Sequence, residues 1–145
     1  MGLGKNAGGQ TCKWKRLVAI IKVECSWGYY IFFIRFLITP DFITEPYFQY
    51  YGPGYDGPPG SGNSGQMKFS QSGNTLVLTR HSYIEIYDFD RCSGIASNVQ
   101  SILVQEGDFI YGCEFSDEGR MLYLTSVGYE LSSAKLYQYC LTCPG

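Results

Sequence analysis

Gln66-Met67-Lys68-Phe69-Ser70-Gln71-Ser72-Gly73-Asn74-Thr75-Leu76-Val77-Leu78 returns in variant form as Gly112-Cys113-Glu114-Phe115-Ser116-Asp117-Glu118-Gly119-Arg120-Met121-Leu122-Tyr123-Leu124. Both stretches reduce to Phe-Ser-x-x-Gly-x-x-Leu-x-Leu, with Phe69 and Phe115, Gly73 and Gly119, and Leu76 and Leu122 each 46 residues apart. Met67-Lys68-Phe69 alternates apolar and polar residues, the pattern of a half-buried strand. Ser70-Gln71-Ser72-Gly73-Asn74 is turn chemistry, small polar residues followed by a glycine that takes positive φ without a Cβ penalty. Thr75 to Thr79 is again strand-like, with β-branched residues around a leucine pair. Each copy therefore predicts a two-stranded hairpin.

Both hairpins continue into a third strand, Tyr83-Ile84-Glu85-Ile86-Tyr87-Asp88-Phe89 in the first copy and Lys135-Leu136-Tyr137-Gln138-Tyr139-Cys140-Leu141 in the second. On the aromatic positions Tyr87 and Phe89 align with Tyr137 and Tyr139, 50 residues apart, which places an insertion of four residues near Gly128 to Ser133. A surface loop absorbs such an insertion at little cost. A self-similar period near 46 residues with three or four short strands per unit is the signature of propeller blades. The predicted fold class is all-β, about three antiparallel blades of a β-propeller forming part of a larger ring.

Composition agrees with a globular β domain. Of 145 residues, 45 % are hydrophobic and 17 % charged, with 13 Tyr and 9 Phe, so the chain is neither disordered nor poor in strand formers. A net charge of -2 offers no basic face for nucleic acid. Six cysteines, Cys12, Cys25, Cys92, Cys113, Cys140 and Cys143, are irregularly spaced and read as free thiols. Cys140-Leu141-Thr142-Cys143 is a single CxxC, and with His81 as the lone histidine it does not complete a tetrahedral zinc set.

Along the chain, residues 1–11 are Gly-rich and read as a disordered or entry segment. Residues 12–51 form a blade-like unit. Its strands are Leu17 to Val23, Tyr29 to Ile38 and Glu45 to Tyr51, with Cys25-Ser26-Trp27-Gly28 as a turn and Thr39-Pro40-Asp41 ending the second strand, because proline cannot donate to a ladder. Leu17 to Ile38 has the length of a membrane span, but Lys22, Glu24 and Arg35 would each cost roughly 2.5 to 3.5 kcal/mol near a bilayer centre, so no span is predicted. Residues 52–64 are a Gly/Pro-rich connection, residues 65–108 a blade with a fourth strand from Asn98 to Val104, and residues 109–145 a blade lacking its last strand.

Gly65 to Ser70, the x-x-Gly turn, Ile86-Tyr87-Asp88-Phe89-Asp90 with Ser93-Gly94, Tyr111 to Ser116 and Lys135 to Tyr139 resemble WD-repeat-like, YVTN-type propellers. The resemblance is to the propeller region of large secreted surface proteins of gliding bacteria, which often carry PKD modules and a type IX secretion sorting domain. The turns depart from that group's usual Ser-Pro-Asp-Gly, reading Ser-Gln-Ser-Gly and Ser-Asp-Glu-Gly here. The resemblance implies an extracellular or cell-surface location, a protein or glycan partner alongside the remaining blades of the same protein, and no cofactor. It brings no catalytic motif.

Reactive constellations are scarce. No Gly-x-Ser-x-Gly elbow is present and one histidine leaves little room for a Ser-His-Asp arrangement. Asp88 and Asp90 share a strand face and Asp117-Glu118 share a turn, arrangements that can hold a cation but that also suit solvated strand ends. No catalytic, cofactor or metal residue is predicted. Two functions follow: a non-enzymatic interaction or scaffold segment, and part of a lactonase-like propeller enzyme whose site needs further blades. The expected core is Phe69, Leu76, Leu78, Ile84, Ile86, Phe115, Leu122, Leu124 and Leu136.

Overall fold

A computed structural model of the chain describes residues 17–24, 30–53, 65–104, 109–127 and 134–143. They form ten strands and no helix: β1 (Leu17–Glu24), β2 (Tyr30–Ile38), β3 (Tyr47–Pro53), β4 (Met67–Phe69), β5 (Thr75–Arg80), β6 (Tyr83–Asp90), β7 (Ile95–Leu103), β8 (Phe109–Phe115), β9 (Met121–Val127) and β10 (Lys135–Cys140). The fold is all-β. Three meanders have the strand orders β1-β2-β3, β4-β5-β6-β7 and β10-β9-β8, and the paired registers are antiparallel. β3 runs two residues into the expected Gly/Pro-rich connection; the rest of that connection, the N-terminal segment, the Cys25–Gly28 turn and the Gly128–Ser133 insertion lie outside the described residues.

The described chain divides into two compact units. One holds β1–β3 together with Phe89–Ala96, the tip of the β6–β7 hairpin; the other holds the rest. In the first unit, Leu17 to Glu24 pairs residue for residue with Ile38 to Ile31. The apolar stretch considered as a span is thus a hairpin, and no helix among the described residues is long and apolar enough to cross a membrane. Thr39 closes the β2–β3 connection. Its hydroxyl accepts from the amides of Asp41 and Phe42, and its own amide donates to the Phe42 carbonyl at 2.9 Å.

In the second unit the sequence repeat is a repeat of hydrogen bonds. The Ser70 amide donates to the Thr75 carbonyl and the Ser116 amide to the Met121 carbonyl, both at 2.9 Å. Gly73 and Gly119 donate to the Ser70 and Ser116 carbonyls, both at 2.8 Å, with φ of 71° and 68°. The serine hydroxyls accept from Thr75 and Met121. The invariant features of the two copies are therefore the ones that their turn requires: a hydroxyl at the first position and a residue without Cβ at the left-handed one.

Pairing corrects the alignment of the third strands. Leu76 lies opposite Tyr87, whereas its counterpart Leu122 lies opposite Tyr139. Tyr87 therefore corresponds to Tyr139, Glu85 to Tyr137 and Ile84 to Leu136, a separation of 52 residues. The aromatic positions of the two strands are offset by two from the sequence match, a shift that period-2 alternation cannot detect because it leaves every side chain on the same face.

The core also departs from expectation. β5 is buried on both faces: Leu76 and Leu78 lie with Tyr87 and Glu85 on one, Val77 and Thr79 with Ile84 on the other. That second face packs with the Phe115, Leu122 and Leu124 side of the third sheet in a cluster that also contains Ile110 and Cys113. Phe69 and Ile86 are only half-buried. Leu136, expected in the core, is 70 % exposed. It sits opposite Thr125 on the solvent side of its sheet, while Tyr137 and Tyr139 take the packed side. Apolar character placed Leu136 inside; the phase of its strand places it outside.

The expectation of free thiols fails for most of the described cysteines. Cys140 and Cys143 form a disulfide with a Cα–Cα distance of 5.5 Å, Cys92 is disulfide-bonded, and Cys113 is free and buried. Two residues between cysteines allow a turn to bring the Cβ atoms into bonding range, so a CxxC at a strand end closes on itself.

Candidate functional site

The first strands of the last two sheets, β4 and β8, meet through a polar ladder. In each repeat a threonine of the second strand receives an amide of the first: Gln66 N–H donates to Thr79 Oγ1 at 2.7 Å, and Gly112 N–H to Thr125 Oγ1 at 3.2 Å. The buried Thr79 hydroxyl in turn donates to the Tyr111 carbonyl at 2.8 Å, and the Cys113 amide donates to Gln66 Oε1 at 2.9 Å. These bonds join the two repeats and satisfy groups that burial would otherwise penalise.

Lys68 and Glu114 occupy equivalent positions of the two copies and pair at 2.6 Å. The hydrogen bond to Glu114 raises the Lys68 pKa, and the hydrogen bond from Lys68 lowers that of Glu114. The sign follows by linkage. Glu114 contributes stability above its ordinary value of 4.5 and loses it as pH falls through its lowered folded value. Lys68 contributes below its ordinary value of 10.5 and loses it as pH rises through its raised one. Both groups are solvated, so the effect is small and screened by salt. Lys68→Met should therefore differ from wild type in urea midpoint chiefly between about pH 5 and pH 10, less so at high salt. A difference that does not change with pH would mean that the pair with Glu114 contributes nothing measurable.

Two open grooves lie one in each unit. In the first, of about 290 Å³, the Arg35 guanidinium stacks 4.1 Å from the Tyr47 ring centroid and donates to the Ser93 carbonyl at 2.7 Å, with Thr44, Glu45 and Cys92 at the wall. In the second, of about 420 Å³, the Cys140–Cys143 disulfide faces the Ser116-Asp117-Glu118 turn, and Arg120 ion-pairs with Glu118.

The residues singled out from sequence do not converge. Asp88 accepts from Asn98 Nδ2 at 2.8 Å. Asp90 caps the β6–β7 turn, accepting from the Cys92 amide and the Ser93 hydroxyl. His81 adopts φ of 49° in the two-residue turn between β5 and β6, with Nδ1 3.0 Å from the hydroxyl of buried Ser82 and its ring edge-on to Phe109. Among the described residues no three His, Cys, Asp or Glu side chains gather as a metal set would.

Comparison with family models, curated proteins and solved structures finds no match.

One polar group escaped sequence reasoning. Glu85 is buried, accepts from the Tyr87 hydroxyl at 2.8 Å and lies 3.5 Å from Arg80. Its place between Ile84 and Ile86 reads as the solvent phase of an amphipathic strand, and no local signal shows that both faces of the strand are covered. Cys92, Cys140 and Cys143 at the groove walls are disulfide-bonded, so none of them offers a thiolate. Burial pushes the free Cys113 thiol up to about 11, so at neutral pH it is protonated and unreactive.

Proposed function

We propose that the chain is a segment of a WD-repeat-like β-propeller in a secreted or cell-surface protein, where it serves as a non-enzymatic interaction or scaffold module. The observation that carries this reading is the packing of one repeat on the next through non-equivalent faces. The Val77–Ile84 side of the second sheet meets the Phe115–Leu122 side of the third, so the repeats stack in one direction as blades do. The disulfides at Cys92 and Cys140–Cys143 support an oxidising compartment, because such bonds are rare where cytosolic reductants act.

The test is cross-linking on intact producing cells with a membrane-impermeant amine reagent, followed by mass spectrometry. Lys68 and Lys135 offer accessible amines. Cross-links from these lysines to a surface protein or glycoconjugate are the expected result. Protection of the chain until the cells are lysed would overturn the surface location, and labelling without any cross-linked partner would overturn the interaction role.

A further inference from the structure

The repeat makes the outer face of the third sheet interpretable. Val77, Thr79 and Ile84 of the second sheet correspond to Tyr123, Thr125 and Leu136 of the third. In the second sheet those positions are filled: Ile84 is 0 % exposed, sealed in the cluster that includes Phe115, Leu122 and Leu124. In the third sheet the same positions lie open. Leu136 is 70 % exposed and Tyr123 37 %, with Val127 exposed beside them. An apolar strand face left in water favours association. Here its filled counterpart specifies the occupant's chemistry: an antiparallel sheet presenting aromatic and aliphatic side chains.

Such a face exists on this chain. On β2 and β3, Phe48 and Tyr50 are both exposed and share a strand face with Ile34, opposite Phe48 in register, and with Phe36. We propose that the Tyr123–Leu136 face is a docking surface for a second copy of this chain, which seats its Phe48–Tyr50 face there. This assembly rests on the blade stacking proposed above and puts a second copy where a further blade would lie, so its failure in solution would overturn the self-assembly and leave the blade reading standing. The two surfaces differ, so the contact is heterologous, and its repetition closes a ring or extends a filament.

Sedimentation velocity over a concentration series tests it with four variants. Wild-type chain is expected to associate with rising concentration. Leu136→Glu and Phe48→Glu each place a charge at an exposed position, which leaves the fold intact by circular dichroism and weakens self-association by about tenfold or more. Leu136→Ser gives the same loss without a charge and carries the test if Leu136→Glu fails to fold. Val99→Glu, exposed on β7, associates like wild type. An equimolar mixture of Leu136→Glu and Phe48→Glu regains a dimer, because each supplies the face that the other lacks. A monomeric wild type overturns the proposal, as does undiminished association of Leu136→Glu. Self-association of Phe48→Glu, which would mean pairing of two identical faces, or a mixture that stays monomeric overturns the assigned occupant.

Discussion

Phe115→Ala should lower the free energy of unfolding by about 3 to 5 kcal/mol, read as a fall in urea midpoint at unchanged slope. Phe115 is 8 % exposed, lies opposite Leu122 and belongs to the cluster that joins the second and third sheets. Its removal leaves a void bounded by two sheets whose strands are fixed by ladder hydrogen bonds, so the site relaxes little. Phe69→Ala, at the equivalent position, should cost only about 1 to 2 kcal/mol, because its ring is less completely buried. Equal losses at both positions would mean that Phe69 is covered as fully as Phe115. A loss under about 1 kcal/mol at Phe115 would mean that the cluster is not the joint between the sheets.

Gly65→Ala should be comparably damaging, by about 3 kcal/mol or more. Gly65 has φ of 122°, a conformation that L residues rarely adopt, and a Cβ there would lie 2.2 Å from the Thr79 carbonyl oxygen and 2.7 Å from its Oγ1. The obstacle cannot swing aside, since Thr79 is tied to Gln66 by its own amide and hydroxyl and to Tyr111 by the same hydroxyl. Gly119→Ala provides the contrast. It shares the positive φ, at 68°, but meets nothing within 4 Å, so only the left-handed penalty of about 1 kcal/mol applies. Thermal or urea unfolding of the two variants separates conformational strain from collision, and similar losses in both would assign the Gly65 effect to backbone conformation alone.

What sequence could and could not reach differs from residue to residue. The Phe-Ser-x-x-Gly turn was legible, since each constant residue answers a local demand of the turn and the amides of Gly73 and Gly119 close it in the same way. The strands of both hairpins were legible for the same reason: alternation and β-branching act within a few residues. Cys140 and Cys143 were misread because a CxxC is equally compatible with thiols, a metal and a disulfide, and the path of the chain after β10 selects among them. The polar ladder of Gln66, Thr79 and Cys113 left no trace, because it joins residues 47 and 32 positions apart whose types are ordinary on exposed strands.

By itself, then, the sequence determined the local elements of this protein: an all-β chain, the period of its repeat, and the turns that glycine and serine impose. Those rest on steric and hydrogen-bonding preferences that each short stretch carries with it. Tertiary structure alone decided which strand faces are covered. Ile84 and Leu136 are both aliphatic, hold equivalent positions and stand at 0 % and 70 % exposure, because a sheet lies over one and not over the other. Glu85 is likewise buried, on a strand whose alternation assigned it to solvent. Burial is a property of what packs against a residue from elsewhere in the chain, and alternation supplies only the side on which each residue waits for it.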